Sequence, residues 1–256
     1  LIEFSKPVIA LCDGIVMGGG AGLAQYSQHI VMTETTRFAM PESAIGLFPD
    51  VGASLFLGRC PKSVAKLMGM TGHIVGAADC LLLGLASVQV PTASLADLKE
   101  KLLHGHVDQM DSIISQFQTD AGQSLLASQR QLIDHIFADG AVESMRDRAV
   151  DLAGKMPHNK LLNAIVTAFE TRCPLSIKLF NRLLAVTDHL TDPVAAIELD
   201  FHLALRLTKR ADFAEGIRAI IIDKDQAPQW TPNSLETVTE TMLDAVFDRN
   251  GLPSLR

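Results

Sequence analysis

The chain has 256 residues, 48% of them hydrophobic and 20% charged, with a formal net charge of −7. It is long and apolar enough to bury a sizeable core, which excludes a disordered chain. The acidic balance makes the whole molecule a poor match for nucleic acid, and no apolar run reaches the length of a membrane span, so neither is expected as a partner.

The first ten residues already lead into a strand, and the chain opens on Leu1 with neither an n-region nor an Arg-rich face. A fragment or a processed piece is expected. Val8-Ile9-Ala10-Leu11 predicts a buried strand that ends at the Asp13-Gly14 turn. A helix is expected over 21–27, then strands at 30–33 and 37–39. Pro61 suits the first residue of a helix running to Met70. Residues 76–83 suit another helix, and 88–90 a closing strand.

Composition changes near Pro91. Glycine is dense before it, and from Ser94 onward the periodicity is helical. Ser94 with Asp97 reads as an N-terminal capping pair, and Asp192-Pro193 as a cleaner helix start. Leu175, Leu179 and Leu183 define one inward helix face. Val194, Ile197, Phe201 and Leu205 define another. Two parts are expected, 1–91 and 92–256, with no Gly/Ser/Pro-rich linker between them.

The four cysteines, Cys12, Cys60, Cys80 and Cys173, contain no C-x-x-C pair. Three of them sit among apolar neighbours and are expected to be buried free thiols, in a reducing compartment. The histidines are scattered without metal-ligand spacing, so no metal site is expected. Arg59, Lys62 and Lys66 offer a local basic patch for an anionic ligand, although a solvated helix face is the nearer reading for the lysines.

Chemistry concentrates in residues 14–52. The cluster Gly18-Gly19-Gly20-Ala21-Gly22 follows a predicted strand and precedes a predicted helix. That places backbone N–H groups where a helix start favours negative charge. No G-x-G-x-x-G, Walker A or G-x-S-x-G pattern can be drawn. The plainer reading is that these glycines only let strand and helix pack closely.

Glu42 and Asp50 follow in loops rich in Gly and Pro and otherwise apolar. A carboxylate in such a setting has a raised pKa, which suits a general base, a general acid or a nucleophile. The plainer reading makes Glu42 a helix cap or surface charge, and Asp50 the cap of a helix beginning at Val51. Oxyanion donors together with two carboxylates point to acyl chemistry.

Pro7-Val8-Ile9-Ala10 through Gly18-Gly19-Gly20-Ala21-Gly22-Leu23 resembles the K-P-x-I-A…G-G-G segment of the crotonase (enoyl-CoA hydratase/isomerase) superfamily. Met40-Pro41-Glu42 with Ile45-Gly46-Leu47-Phe48-Pro49-Asp50-Val51-Gly52 is similar to the 3-hydroxyisobutyryl-CoA hydrolase branch. So is Phe213-Ala214-Glu215-Gly216-Ile217-Arg218-Ala219 with Ile222-Asp223-Lys224-Asp225.

The resemblance implies an α/β fold, a partial crotonase-like spiral of ββα turns followed by an α-helical C-terminal region. It implies an acyl-CoA substrate, with CoA as part of the substrate and no separate cofactor. It implies Glu42 and Asp50 as catalytic residues, and Gly18, Gly19 and Gly20 as the oxyanion and substrate-binding loop, with Gly19 supplying one oxyanion N–H. A homo-oligomer, trimer or hexamer, is common in the superfamily. The compartment implied is bacterial cytoplasm or mitochondrial matrix.

Two departures stand out. The second glutamate of hydratases is replaced by Gly22. A motif like A-F-C-A-G-G-D, which carries the other oxyanion donor, is absent, so the N-terminal part of the family domain is expected to be missing. Hydrolysis of a short 3-hydroxyacyl-CoA, as in valine breakdown, is the leading expectation. A crotonase-type hydratase or isomerase, and a non-catalytic subunit of a larger complex, are the alternatives.

Overall fold

A computed structural model describes residues 1–254. The backbone divides into two compact units, Leu1–Ala39 with Ile74–Arg130, and Met40–His73 with Gln131–Arg256. The compositional change at Pro91 falls inside the first unit.

The first unit holds the five strands found among the described residues: β1 (Ile9–Cys12), β2 (Ile15–Met17), β3 (His29–Met32), β4 (Arg37–Ala39) and β5 (Val88–Gln89). β1, β3 and β5 form one parallel sheet, and β2 pairs with β4 in a second. Each ββα turn therefore lays its first strand on the first strand of the next turn. The register runs Ile9 to His29 and Ile15 to Arg37. Val31, Val88, Val90, Leu98, Ile113 and Ile114 form the core beneath the three-stranded sheet.

Asp13, at the turn between β1 and β2, accepts hydroxyl hydrogen bonds from Thr33 (2.6 Å), Thr35 (2.5 Å) and Thr92 (3.0 Å). Those of Thr33 and Thr35 do most to hold its carboxyl below the usual carboxylate range. They tie successive turns of the spiral together at their corners. Asp79 does similar work in the interior, accepting from Ser124 Oγ (2.6 Å) and the Leu126 N–H (3.0 Å).

The predicted strands stand in place within a residue or two. The first helix runs Gly19–Gln25, starting two residues earlier than its side chains suggested. The helix Leu95–His104 starts after Ser94 as expected, but the Ser94 side chain makes no capping bond. A 3-10 turn over Thr92–Ser94 leads into it and leaves Ser94 in helical rather than extended geometry.

The described part of the second unit is helical. Leu175, Leu179 and Leu183 are buried on the helix Pro174–Val186, as their spacing predicts. That helix packs on Lys62–Thr71, where the Phe180 ring occupies the space a side chain at Gly69 would need. Asp192 caps Pro193–Leu207 by accepting the Val194 N–H at 2.9 Å. The inward face of that helix corrects the expectation. Val194, Ile197, Phe201 and Leu205 are only half-buried, whereas Ala196, Leu199, Asp200, Leu203 and Leu207 are buried. The inward stripe contains a carboxylate, so hydrophobicity alone pointed to the neighbouring stripe.

Candidate active site

Glu42 opens a 3-10 turn, Glu42–Ile45, that ends at Gly46 in the left-handed conformation (φ 70°). The turn is clamped from several sides within the second unit. The Cys173 N–H donates to Ser43 O at 2.9 Å. A side chain at Gly46 would meet Asp212 O at 2.7 Å, and one at Gly216 would strike the Ile45 backbone. Gly216 belongs to the helix Ala211–Ile217, part of the far segment quoted above. That segment therefore serves as the support of the Glu42 turn. Gly216→Ala is expected to cost about 1–3 kcal/mol by overpacking and to lower activity as the turn shifts. Urea unfolding and an activity assay on the same preparation check both effects.

Glu42 is 6% exposed, and its Oε2 finds no hydrogen-bond partner among the described residues. Burial pushes its carboxyl up to about 8, with the Asp50 charge adding to the rise and its own backbone N–H working against it. It is neither a helix cap nor a surface charge.

Asp50 lies half-buried in the same unit, and burial raises its carboxyl too. It does not cap a helix through its side chain. The next helix is Ala53–Gly58, with Gly52 as its cap residue. The Ala53 N–H donates to Asp50 O at 2.9 Å, closing a turn with Val51 at φ 53° and Gly52 at φ 76°. Gly52 is at ease there. A β-branched valine is not, and its left-handed backbone costs roughly 1–2 kcal/mol.

A third carboxylate, Asp200, escaped the sequence reading. It is 3% exposed, and its Oδ2 accepts the Gly52 N–H at 2.7 Å. Burial, aided by the Asp50 charge, pushes it up to about 8 against the pull of that N–H. The signal available was an acidic residue amid the apolar run Leu199 to Leu205.

In the first unit, Gly18 precedes the helix Gly19–Gln25, and Gly19 and Gly20 are exposed. A side chain built on Gly19 or Gly20 would meet nothing within 4 Å outside its own helix. Close packing of strand on helix therefore does not explain these two glycines. As the first residues of a helix, their N–H groups have no intrahelical acceptor. Gly22 is buried and brings no carboxylate.

The basic residues divide. Lys62 is exposed and pairs with Asp188 at 3.2 Å. Lys66 is not on a solvated face: it is buried, with Nζ donating to Phe137 O (3.3 Å) and Asp139 (3.1 Å). A buried helix position demands a partner for its ammonium, and the chain turn at 137–139 supplies it. Both lysines and Arg59 line a cavity of about 460 Å³ in the second unit, with Asn181, Asp139 and Asp188; Glu42 and Asp50 do not line it. All four cysteines are buried free thiols. Among the described residues no His/Cys/Asp/Glu group could hold a metal, and no helix is long and apolar enough to cross a membrane.

Residues 1–247 match the family described as enoyl-CoA hydratase/isomerase. A probable 3-hydroxyisobutyryl-CoA hydrolase 2 of Arabidopsis thaliana is 35% identical over 97% of this chain and 68% of its own length. The mitochondrial 3-hydroxyisobutyryl-CoA hydrolase of Gallus gallus is 33% identical over 98% of this chain and 66% of its own. The chain thus spans about two thirds of these relatives. Among solved structures, a carnitinyl-CoA dehydratase from Mycobacterium thermoresistibile superposes with a TM-score of 0.88 at 27% identity, covering 99% of this chain and 71% of that one. An enoyl-CoA hydratase from Rhodobacter sphaeroides 2.4.1 gives 0.87 at 30% identity, over 100% and 72%. With its ββα turns of parallel strands and its helical remainder, the chain belongs to the enoyl-CoA hydratase/isomerase (crotonase) superfamily, with 3-hydroxyisobutyryl-CoA hydrolases among its relatives.

Proposed function

We propose that the protein hydrolyses a short 3-hydroxyacyl-CoA thioester, with 3-hydroxyisobutyryl-CoA as the leading substrate, giving 3-hydroxyisobutyrate and CoA. The observation that carries this reading is Glu42: buried, with an unpartnered oxygen and a carboxyl held near 8. A carboxylate of that strength is a competent base or nucleophile toward a thioester carbon at neutral pH. The hydrolase relatives at 31–35% identity supply the substrate class.

Glu42 starts the reaction by direct attack, giving a mixed anhydride that water opens, or by taking a proton from the attacking water. Both routes end in a carboxylate and a free thiol. Asp50 orients the substrate hydroxyl or handles the proton that the departing thiolate takes up. Gly19 stands at the position where the family supplies an oxyanion N–H, a donor that stabilises charge on a thioester carbonyl oxygen. The reaction consumes only water and calls on no cofactor. Four buried free thiols favour a reducing compartment, mitochondrial matrix or bacterial cytoplasm, and a trimer or hexamer is the proposed assembly.

The test is release of thiol from 3-hydroxyisobutyryl-CoA, followed with a reagent that reports free CoA. Release is the expected result from protein that carries both oxyanion donors, and none from such protein, folded, would overturn the reading. The likeness to a solved hydratase and a solved dehydratase favours a second reading, water addition to an enoyl-CoA. Gly22, in place of a second glutamate, weighs against it. Loss of the enoyl-thioester absorbance without thiol release would identify it.

A further inference from the structure

Asp200 sits on the inward stripe of the helix Pro193–Leu207 between Leu199 and Leu203. A carboxylate placed there is costly without a partner. The partner it finds is a backbone group far away in the chain, the Gly52 N–H at 2.7 Å, while its Oδ1 finds none among the described residues. Gly52 is the second central residue of the left-handed turn that begins at Asp50. The first central residue, Val51, has no intrinsic preference for that turn. The turn's own bond, from the Ala53 N–H to Asp50 O, is therefore not its only restraint.

We propose that Asp200 is a positioning residue: by accepting the Gly52 N–H it fixes the Asp50–Val51–Gly52 turn and so aims the Asp50 carboxyl. A carboxyl oxygen accepts this bond whether or not the group carries a proton, and an amide oxygen accepts it equally well. The role thus separates from a charge role by substitution. The inference rests on the hydrolase reading only for its activity readout.

The full chain is compared with Asp200→Asn and Asp200→Leu, two replacements of similar size. Asp200→Leu is expected to speed exchange of the Gly52 and Ala53 amide protons by about tenfold or more, while the amides of the helix Lys62–Thr71 keep their rates. It is expected to lower kcat for thiol release from 3-hydroxyisobutyryl-CoA by about 10²-fold with little change in KM, since the reacting geometry and not the bulk of substrate binding is lost. Asp200→Asn is expected to leave exchange, kcat and KM near those of the parent.

Unchanged exchange or unchanged kcat in Asp200→Leu would overturn the proposal. So would an Asp200→Asn protein as impaired as Asp200→Leu, which would assign the group to charge or proton chemistry. If Asp200→Leu fails to fold, Asp200→Ser, polar but too short to reach, takes its place with the same expectations. If a parent that carries both oxyanion donors releases no thiol, the hydrolase reading falls and amide exchange decides the positioning role alone.

Discussion

Glu42→Gln is expected to lower thiol release by about 10³-fold or more, with KM changed little. The amide fills the same volume in the clamped turn, so the fold and the surface that meets substrate are kept. It can neither attack a carbonyl nor accept a proton from water at neutral pH. Titration of the parent should show the same group from the other side. With Glu42 held up to about 8, roughly a tenth of the molecules carry it ionised at pH 7, and kcat/KM rises as pH is taken toward and past that value. A plot of log kcat/KM that is flat from pH 6 to pH 9 would remove Glu42 from the rate equation. A Glu42→Gln protein with near-parental turnover would do so directly.

The second large effect is on stability. Glu42 and Asp200 are both pushed up to about 8 in the folded protein, chiefly by burial, and Asp50 is raised as well. In the unfolded chain these carboxyls ionise in the ordinary range of about 4 to 4.5. Between that range and pH 8 the folded state holds protons that the unfolded state has released. Stability therefore falls as pH rises through this window, by at most about 1.4 kcal/mol per pH unit for each fully titrating group.

The opposite slope belongs to carboxyls held low. Glu215, chiefly through its hydrogen bonds from Arg218, is lowered to about 2, and its contribution is present above the ordinary range and lost only as pH falls below it. Its partial exposure to solvent reduces that contribution. The expected profile is a maximum near pH 5 with a long decline on the alkaline side, read by urea unfolding at a series of pH values. Glu42→Gln should flatten the decline and raise the melting temperature at pH 8, by about 2–4 °C for each 1 kcal/mol relieved. The same substitution would then stabilise the protein and silence it, as expected where an active site stores unfavourable burial. A Glu42→Gln protein with the parental alkaline slope would show that Glu42 ionises freely in the folded state.

Local chemistry was legible in the sequence. β-branched and apolar runs bounded by glycine turns located β1, β3, β4 and β5, whereas the three-residue β2 (Ile15–Met17) was not expected. The glycine cluster and the two carboxylates at 42 and 50 were visible because they sit in short segments whose character does not depend on distant partners. The cap at Asp192 was visible for the same reason, since its bond reaches only to Val194. The leucine stripe at 175, 179 and 183 contained no charge to obscure it.

What the tertiary structure decided were the polar groups that burial turns inward. Asp200 made its own helix stripe look solvent-facing, and only a backbone N–H 148 residues away accounts for its position. Lys66 read as a surface lysine until the carbonyl of Phe137 and the carboxylate of Asp139 closed over it. Gly216 looked like one glycine in a helical segment, and its need for space appears only where Ile45 comes against it. A side chain's hydrophobicity is a property of its residue, but the cost of burying its charge depends on which groups the fold brings to meet it. Periodicity carries the first kind of information. The second kind exists only once the chain has closed on itself.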